Sequence, residues 1–476
     1  MAKSKNVLKT TNSAELLSYI INQTPELSSA LDLPVQGESI KPIGKLIMSN
    51  PVYKNAFLNT INLIGITVIT RNHWENPWQD FTDKGTLSWG MQVREVICDI
   101  ADVYDYNEKI SDELEFTKTV VPNVLSYLHE LNVQKYYKTT TSDEQMAMAF
   151  EREDLFSLID LIINSLYEAY QYDVYQIAKY ILARRIVDGT VTPSTLETGS
   201  DDRDLVAQIK AVSNLMTFRS PNYNPAGIRK ATAFDDQFAI VSSLFDSKFS
   251  TNVLSTSYFR SDADLKARLQ LTEGFGILDT NRLNEIFGKR DENNNLISGE
   301  YINGYTPLTQ AEMTALNQIP VVIVGRDFFQ FYKWAFDNSQ EGMRKTEFFN
   351  PSTLKTNHFL HTWYVASSSP FENATFFIEG TPSVTSVVVT PATASVYPNS
   401  ELQMSATVTT VNFANKAVNW SVTTDVEGVT ISQSGLVKIP NVETLSGQTI
   451  TVTATSIYDN TVSGTATLTL PTITNG

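Results

Sequence analysis

The chain has 476 residues, of which 42% are hydrophobic, 11% aromatic and 18% charged. This composition is globular and excludes a disordered, collagenous or coiled-coil protein; the length favours two or three folding units. With 36 Lys and Arg against 52 Asp and Glu, the formal net charge is −16. Sequence-specific nucleic-acid binding is therefore not expected, because the protein as a whole repels phosphate backbones.

The cysteine count and the lengths of the apolar runs predict the compartment of folding and the relation to membranes. Cys98 is the single cysteine, so no intrachain disulfide can form, and we expect folding inside the cell. The N-terminus lacks the continuous apolar block of a signal peptide. The longest apolar runs, Leu63 to Val68 and Ile319 to Val324, are far shorter than the ~20 residues that span a bilayer. We expect neither signal-peptide export nor a membrane span.

The N-terminal part is interpreted as an extended segment followed by a long β-hairpin. Residues Gly85 to Asp105 alternate in period two, which predicts a pair of long strands. Tyr104 to Lys109 would form the far end of the hairpin. Because a hairpin of this length has no core of its own, it needs a neighbouring molecule to cover it.

Glu151 to Ile186 is predicted to form a long amphipathic helix, since apolar residues recur at spacings of three and four without an internal Pro or Gly. Arg184 and Arg185 complement the macrodipole at its end, and Gly189 stops it. At 1.5 Å per residue the helix would be about 50 Å long. That length suits a spine along a flat subunit, with an ordinary core helix as the alternative.

The region after this helix is predicted to mix helices and strands. Helices are predicted at Asp201–Met216, Asp262–Leu269 and Thr309–Leu316. A buried strand is predicted at Pro320–Gly325, followed by an aromatic helix at Asp327–Trp334.

The composition changes near Gly380, where Thr, Ser and Val begin to dominate, and we predict a domain boundary there. From Ser383 onward the sequence alternates in period two, with turn signals such as Ser434-Gly435. About seven short strands in roughly 90 residues are typical of an Ig-like β-sandwich without a disulfide. Trp420 would be its core aromatic.

No histidine or cysteine pattern predicts a metal or catalytic site. His358 and His361 have the i, i+3 spacing of helical metal ligands, but nearby Trp363 and Tyr364 favour a strand, in which the two rings point to opposite faces. Cys98 is interpreted as a buried, inert thiol. His73 and His129 stand in sequence that suggests no ligand set.

Phosphate-binding and nucleophile motifs are missing from the sequence as well. Gly274-Phe275-Gly276 is interpreted as a loop turn. The carboxylate pairs Asp201-Asp202 and Asp235-Asp236 are interpreted as solvated faces or helix starts. The basic pairs Arg184-Arg185 and Arg229-Lys230 are too short for a phosphate-binding track.

Several blocks of the chain resemble known proteins. Val121–Asn132, Val322–Phe329 and His361–Gly380 are similar, in the same order, to segments of the major head proteins of phi29-type podoviruses. The C-terminal part resembles the bacterial Ig-like group 2 (BIG2) domain. Its pattern is echoed in Val387–Pro391, Val418–Val422, Ser434–Val437 and Ile450–Ala454.

The resemblance implies an α+β protein with a Hong Kong 97 (HK97)-like coat fold over residues 1–380, followed by an all-β Ig-like BIG2 domain over 383–470. Within the coat fold it implies an N-arm over about 1–70, an extended loop over about 83–118 and a spine helix over about 151–188. The spine helix would belong to a peripheral domain, and an axial domain would lie within about 233–324.

The resemblance also implies a function. The chain would be a major capsid protein that self-assembles into pentamers and hexamers of an icosahedral or prolate shell around double-stranded DNA. It would be made in the host bacterial cytoplasm and reside in the virion. Its partners would be further copies, a scaffolding protein, a portal protein at one vertex, head fibres and, through weak non-specific contact, packaged DNA. It would contact no membrane, and no catalytic, cofactor-binding or metal residues are expected.

Two alternatives compete with this interpretation. One is a bacterial surface adhesin or carbohydrate-binding protein that uses the Ig-like domain, but the sequence shows no export signal or anchor. The other is an intracellular carbohydrate-active enzyme with an appended Ig-like domain. Abundant aromatics and carboxylates are its only support, and it would require a localised acid/base pair.

Overall fold

The computed structural model of the chain describes residues 13–23, 25–31, 39–58, 76–88, 92–100, 124–129, 132–152, 165–199, 202–252, 269–293, 295–302, 304–335, 342–441 and 448–470. The helices are α1 (Ser13–Gln23), α2 (Pro25–Ser28), α3 (Lys41–Ser49), α4 (51–58), α5 (Gln79–Thr82), α6 (Asp143–Arg152), α7 (Ser165–Val187), α8 (Asp202–Leu215), α9 (Ser243–Asn252), α10 (Thr280–Phe287) and α11 (Gln310–Leu316).

The strands before Gly380 are β1 (Asp83–Leu87), β2 (Val93–Cys98), β3 (Val124–His129), β4 (Asn132–Ser142), β5 (Thr192–Leu196), β6 (Gln237–Ser242), β7 (Leu269–Thr272), β8 (Gly288–Arg290), β9 (Leu296–Tyr301), β10 (Val321–Gly325), β11 (Phe329–Trp334), β12 (Met343–Asn350), β13 (Lys355–Ser368) and β14 (Ala374–Glu379). The strands after it are β15 (Ser383–Thr390), β16 (Thr393–Ser395), β17 (Glu401–Gln403), β18 (Ser405–Val411), β19 (Val418–Thr423), β20 (Thr430–Ile431), β21 (Leu436–Lys438), β22 (Thr449–Ser456) and β23 (Ser463–Thr469). The chain is thus a mixed α/β protein.

The central sheet is organised around its longest strand, β13. Strand β4 pairs antiparallel with one edge of β13. On the other edge, β12 pairs antiparallel with the first half of β13 and β11 pairs antiparallel with its end. Strand β1 pairs in parallel with β11. Side chains of β13 alternate between buried and half-buried over most of its length, which is the pattern of a sheet with one covered face. Helix α7 covers that face, and Tyr170 packs edge to face on Tyr364 with ring centroids 6.0 Å apart.

The second sheet has the order β5-β14-β10-β6-β7. All five residues of β10 are buried, which confirms the predicted buried strand. Val322 belongs to the core around α7, whereas Val321 and Ile323 belong to the core under α8. Both faces of this strand are covered, so its sequence is continuously apolar.

The expectation of an extended N-terminal segment is wrong for the described residues. Helices α1 to α4 pack with Met146 and Phe150 of α6 around one apolar core, in which Leu16, Leu17 and Ile20 are fully buried. Apolar residues at helical spacing bury one continuous stripe. This spacing is present in the sequence of α1 and indicates a helix, not an extended segment.

The predicted spine helix is corrected at its start. Helix α6 begins at Asp143, because the Ser142 hydroxyl accepts from Gln145 N at 3.2 Å and Gln145 Oε1 accepts from Ser142 N at 2.9 Å, a reciprocal cap. Glu151 therefore lies inside a helix that begins earlier than predicted, and residues 153–164 lie outside the described part. The predicted end is confirmed: α7 ends at Val187, and Gly189 follows with a φ of +71°.

The amphipathic character predicted for the spine helix is also wrong over α7. Every residue from Asp173 to Ala183 is buried, because α7 lies between the central sheet and the chain that leads into α10. A helix covered on all sides cannot present a solvated polar face. Its polar residues must instead find partners inside the protein.

The predicted aromatic helix at Asp327–Trp334 is wrong, because Phe329–Trp334 forms β11. A tight turn with Phe328 N bonded to Gly325 O at 3.0 Å leads into it. Strand pairing with β1 and β13 satisfies the backbone while Phe329 and Phe331 enter the core. For so short a segment this tertiary gain outweighs helix propensity.

The predicted hairpin is corrected in its pairing. Gly85–Asp105 does contain two strands, but β1 joins the central sheet and only β2 belongs to the hairpin, paired with β3 from Val93 opposite His129 to Cys98 opposite Val124. The predicted far end, Tyr104–Lys109, lies outside the described residues.

The predicted helices at Asp201–Met216 and Thr309–Leu316 are confirmed as α8 and α11, and Thr309 with Glu312 forms the capping box of α11. Of the predicted helix at Asp262–Leu269, residues 262–268 lie outside the described part and Leu269 belongs to β7. Gly274-Phe275-Gly276 forms a turn, as predicted.

The C-terminal strands β15 to β23 form small sheets with a shared aliphatic core that includes Val437, Ile450 and Leu468. Trp420 is half-buried at the edge of this core, so its expected role as the core aromatic is wrong. Its ring lies over Gly435, where an added Cβ would stand 3.2 Å from it. The β-branched residues of the strands fill the interior without an aromatic residue.

Candidate assembly surfaces

The root of the hairpin formed by β2 and β3 is bound firmly to the rest of the chain. The Ser369 hydroxyl donates to Glu95 Oε1 at 2.8 Å. Farther out, Arg229 N donates to Asp99 Oδ1 at 3.2 Å. The described end of the hairpin therefore has a fixed direction.

The outward face of this hairpin root is exposed and carries several apolar side chains beside Arg94 and Ser126. Val96 exposes 55% of its surface, and Ile100 and Leu128 are also exposed. Cys98 lies on the same face and is exposed, so the prediction of a buried thiol is wrong. The hairpin has only two strands, and none of the described residues covers this side.

A second open surface lies on the outward side of the central sheet, and we call it the cation–aromatic face. It consists of Tyr136, Lys138, Arg344, Phe348, Phe359 and His361. The ring centroids of Tyr136 and Phe359 are 5.9 Å apart, and Lys138 Nζ lies 5.9 Å from the Phe359 centroid. Tyr136 and Phe348 expose 55% and 59% of their surface.

The described strands that form the cation–aromatic face contribute no carboxylate to it. Among the residues of β4, β12 and β13 the sole acidic residue is Glu347, which pairs with His358 on the opposite side of the sheet. In a chain of net charge −16, this face is a local positive region bordered by aromatic rings. Such a surface attracts acidic segments that carry aromatic or aliphatic side chains.

The histidines of β13 point to opposite sides, as predicted. His358 is buried, and burial lowers its pKa to about 4. Glu347 Oε2 is 3.6 Å from His358 Nδ1. His361 is half-buried on the cation–aromatic face, where burial and then the Arg344 charge lower its pKa. Both rings are therefore neutral at pH 7.

Buried ion pairs bind α7 to the segment around α10. Asp173 is 1% exposed and accepts from Arg282 Nε at 2.7 Å and from the Tyr137 hydroxyl at 2.8 Å. Burial raises the pKa of Asp173, and the hydrogen bonds and charge of Arg282 oppose that shift. Lys179 Nζ contacts Glu273 Oε2 at 2.6 Å. These groups are fully engaged with one another, so they serve packing.

The remaining sequence candidates are scattered. His129 is buried at the hairpin root beside Ser367, and Arg185 Nε donates to the Ser368 hydroxyl at 2.7 Å. Asp235 and Asp236 lie in a 3₁₀ turn, while His73 and Asp201 lie outside the described part.

Within the described ranges no three His, Cys, Asp or Glu side chains are close enough to hold a metal ion. No helix there is long and apolar enough to cross a bilayer.

Two features were missed at the level of sequence, although each left a signal. Asp173, Gln176 and Lys179 recur every three residues within an apolar helix, which indicates a buried polar interface. Strand β4 has no acidic residue and alternates Gln134, Tyr136 and Lys138 on one side. That alternation indicates a strand whose outward side can bind another protein surface.

Comparison with known proteins identifies the family. A model of the phi29-like phage major capsid protein family matches residues 17–378. The chain belongs to this family. It is a structural protein of the phage capsid and a component of the virion, and the adhesin alternative has no support.

The chain is similar to individual phage capsid proteins. The major capsid protein of Bacillus phage GA-1 is 25% identical over 433 residues, which cover 88% of this chain and 81% of the relative. That of Bacillus phage B103 is 26% identical over 452 residues, covering 92% and 90%. Among solved structures, the capsid of Staphylococcus phage Andhra has a TM-score of 0.48 at 13% identity, covering 66% of this chain and 87% of that chain.

Proposed function

We propose that copies of this chain form pentamers and hexamers that close into an icosahedral or prolate head shell around double-stranded DNA. Residues 1–380 would form an HK97-like coat unit, with an N-arm over about 1–70 and an axial domain within about 233–324. Residues 383–470 would form an Ig-like BIG2 domain. The separate hydrophobic core of β15 to β23 supports this division.

The observation that carries the assembly proposal is the presence of two complementary features in one chain. The cation–aromatic face has three basic or imidazole side chains and no acidic one. Residues 101–123, which join β2 to β3, contain six acidic and two basic residues together with Tyr104, Tyr106 and Phe116. Opposite charge and exposed aromatic rings favour contact between the two.

The direction of the described end of the hairpin supports a contact between copies. Lys230 pairs with Glu372, which follows β13 in the chain, and the adjacent Arg229 holds Asp99 of the hairpin. The hairpin therefore leads past the C-terminal end of β13, whereas the cation–aromatic face lies along its N-terminal half. Residues 101–123 of one copy would then lie on the cation–aromatic face of a neighbour.

Charge reversal on the face tests the proposal. Lys138→Glu with Arg344→Glu should abolish shell formation at low salt, as seen by negative-stain microscopy and sedimentation, because both contacts become repulsive. Lys289→Glu with Lys438→Glu makes the same charge change at exposed residues elsewhere and should assemble normally. Adding Glu113→Lys and Glu115→Lys to the first variant should restore shells. Normal assembly of the Lys138/Arg344 variant would contradict the docking, and failure of the native chain to form shells would contradict the function.

Further partners follow from the family resemblance. We propose a scaffolding protein during assembly, a portal protein at one vertex and head fibres, with weak non-specific contact to the packaged DNA. The net charge of −16 supports weak contact, because an acidic wall holds few phosphates. Empty shells from the experiment above should show little association with DNA at low salt.

A further inference from the structure

A groove of about 770 Å³ lies where the C-terminal strands meet the second sheet. Ile319, Ile378 and Phe413 line it, and so does Leu244, which exposes 68% of its surface. The volume lies within the range of roughly 300–1,000 Å³ that holds compact ligands. There is room for a phenyl ring and a second apolar side chain.

The groove has a fixed shape because the C-terminal strands contact the segment after α7 and strand β14 directly. Phe413 packs edge to face on Phe376 with centroids 6.0 Å apart. Asn412 Nδ2 donates to Glu379 O at 3.2 Å. Gly189 approaches so closely that an added Cβ would lie 2.8 Å from Ala414 O. A preformed groove accepts a side chain without an ordering cost of its own.

The same chain carries an apolar projection of matching size. Phe218 exposes 70% of its surface, the largest fraction among the exposed large apolar residues of the described part, and Leu215 exposes 55%. Phe218 N donates to Leu215 O at 3.1 Å, and this backbone hydrogen bond closes the turn after α8 that carries both side chains. An exposed phenylalanine such as Phe218 fits the enrichment of aromatic residues at protein interfaces.

Charge at the two surfaces is complementary. Arg219 follows Phe218 and is exposed, and Lys210 is exposed on α8. Glu312 and Glu379 line the groove, with Lys416 as the sole cation among its lining residues. Approach of the projection to the groove therefore brings unlike charges together.

The projection cannot reach the groove of its own chain. Leu205 lines the groove and Leu215 ends α8, so ten residues of helix, about 15 Å, separate them. A contact between a projection at one end of α8 and a groove at the other is head-to-tail. Contacts of that kind close rings when the rotation between copies permits it.

We propose that Phe218 and Leu215 of one copy insert into this groove on an adjacent copy, with Arg219 facing Glu312 and Glu379. This inference rests on the proposed assembly function and names a contact within the rings. It also gives the C-terminal strands a role in assembly, since they supply one wall of the groove.

Disulfide trapping tests the contact. In a Cys98→Ser background, a Phe218→Cys subunit and a Leu244→Cys subunit are assembled separately and as a mixture, then oxidised. The mixture should give disulfide-linked dimers, and neither subunit alone should. Intact shells without dimers in the mixture would overturn the contact while leaving the assembly function in place, as would dimers from Phe218→Cys alone. Occupation of the groove by residues 253–268 of the same chain would also appear as shells without dimers.

A second measurement does not depend on disulfide geometry. Phe218→Ala should raise the concentration needed for assembly about tenfold or more, as for an interface anchor, without loss of folding, because the side chain is exposed. Tyr397→Ala removes another exposed aromatic ring, on the C-terminal strands, and should change that concentration less than twofold. An unchanged threshold for Phe218→Ala would refute the proposal.

Discussion

Around α7, charged and aromatic side chains are buried against partners in the same chain, whereas on the outward side of the central sheet and the hairpin they face solvent. Asp173 and Lys179 each contact an oppositely charged residue within 3 Å. Lys138 and Tyr136 lie on a face to which the described strands β4, β12 and β13 contribute no carboxylate. The charged groups around α7 have their partners within one chain, whereas those on the outward surfaces are accessible to other copies. This difference also predicts that changes at the two places affect different measurements.

The largest effect on folding is expected at the buried ion pair. Arg282→Ala leaves the Asp173 carboxylate buried without its cation, so the free energy of unfolding of the unassembled subunit should fall by about 3–5 kcal/mol. Chemical denaturation measures this. Arg326→Ala removes an exposed arginine 3.9 Å from Asp236 and should change stability by less than about 0.5 kcal/mol.

A double replacement sharpens this prediction. Asp173→Leu with Arg282→Met removes both charges and should recover most of the lost stability. If the double variant is as unstable as Arg282→Ala, the loss comes from packing and not from an uncompensated charge.

An intermediate effect is expected from His358 and depends on pH. Its folded pKa of about 4 is below the unfolded value of about 6.5, so the unfolded chain binds the proton more tightly. Stability from the neutral ring is complete above about pH 6.5 and is lost as the pH falls toward 4. The loss is at most about 3 kcal/mol, because a pKa difference of one unit corresponds to about 1.4 kcal/mol.

Denaturation at pH 7 and pH 4.5 tests this assignment. His358→Gln should flatten the decline in stability between these two pH values, since glutamine does not titrate. His361→Gln, at the half-buried ring of the same strand, should retain most of it. An unchanged decline in the His358 variant would mean that other groups cause it.

The smallest effect on the subunit is expected on the open hairpin root. Val96→Ser should change the free energy of unfolding by less than about 0.5 kcal/mol, because Val96 is 55% exposed. It should nevertheless reduce shell yield if a neighbouring copy covers this face. Val388→Ser, at a similarly exposed valine of the C-terminal strands, is the matched control. A large loss of subunit stability in the Val96 variant would contradict the distinction between the buried groups around α7 and the exposed groups of the hairpin.

Local signals in the sequence predicted the elements that local interactions stabilise. The stop at Gly189, the capped helix after Thr309 and the period-two strands after Ser383 all follow from backbone preferences and near-neighbour hydrogen bonds. The continuous apolar run of β10 was readable because both of its faces are buried. The charge predicted no sequence-specific nucleic-acid binding and the short apolar runs predicted no membrane span, while the order of three sequence blocks resembled the family to which the chain belongs.

Tertiary structure decided the rest. Phe329–Trp334 became a strand because β13 offers it an edge, and the polar residues of α7 became buried because two layers enclose that helix. Cys98 is exposed because none of the described residues covers its side of the hairpin. The cation–aromatic face and the groove beside Phe413 are built from segments far apart in sequence. Periodicity reports which side of an element is apolar, but only the packing of distant elements determines whether that side meets the chain's own core or solvent.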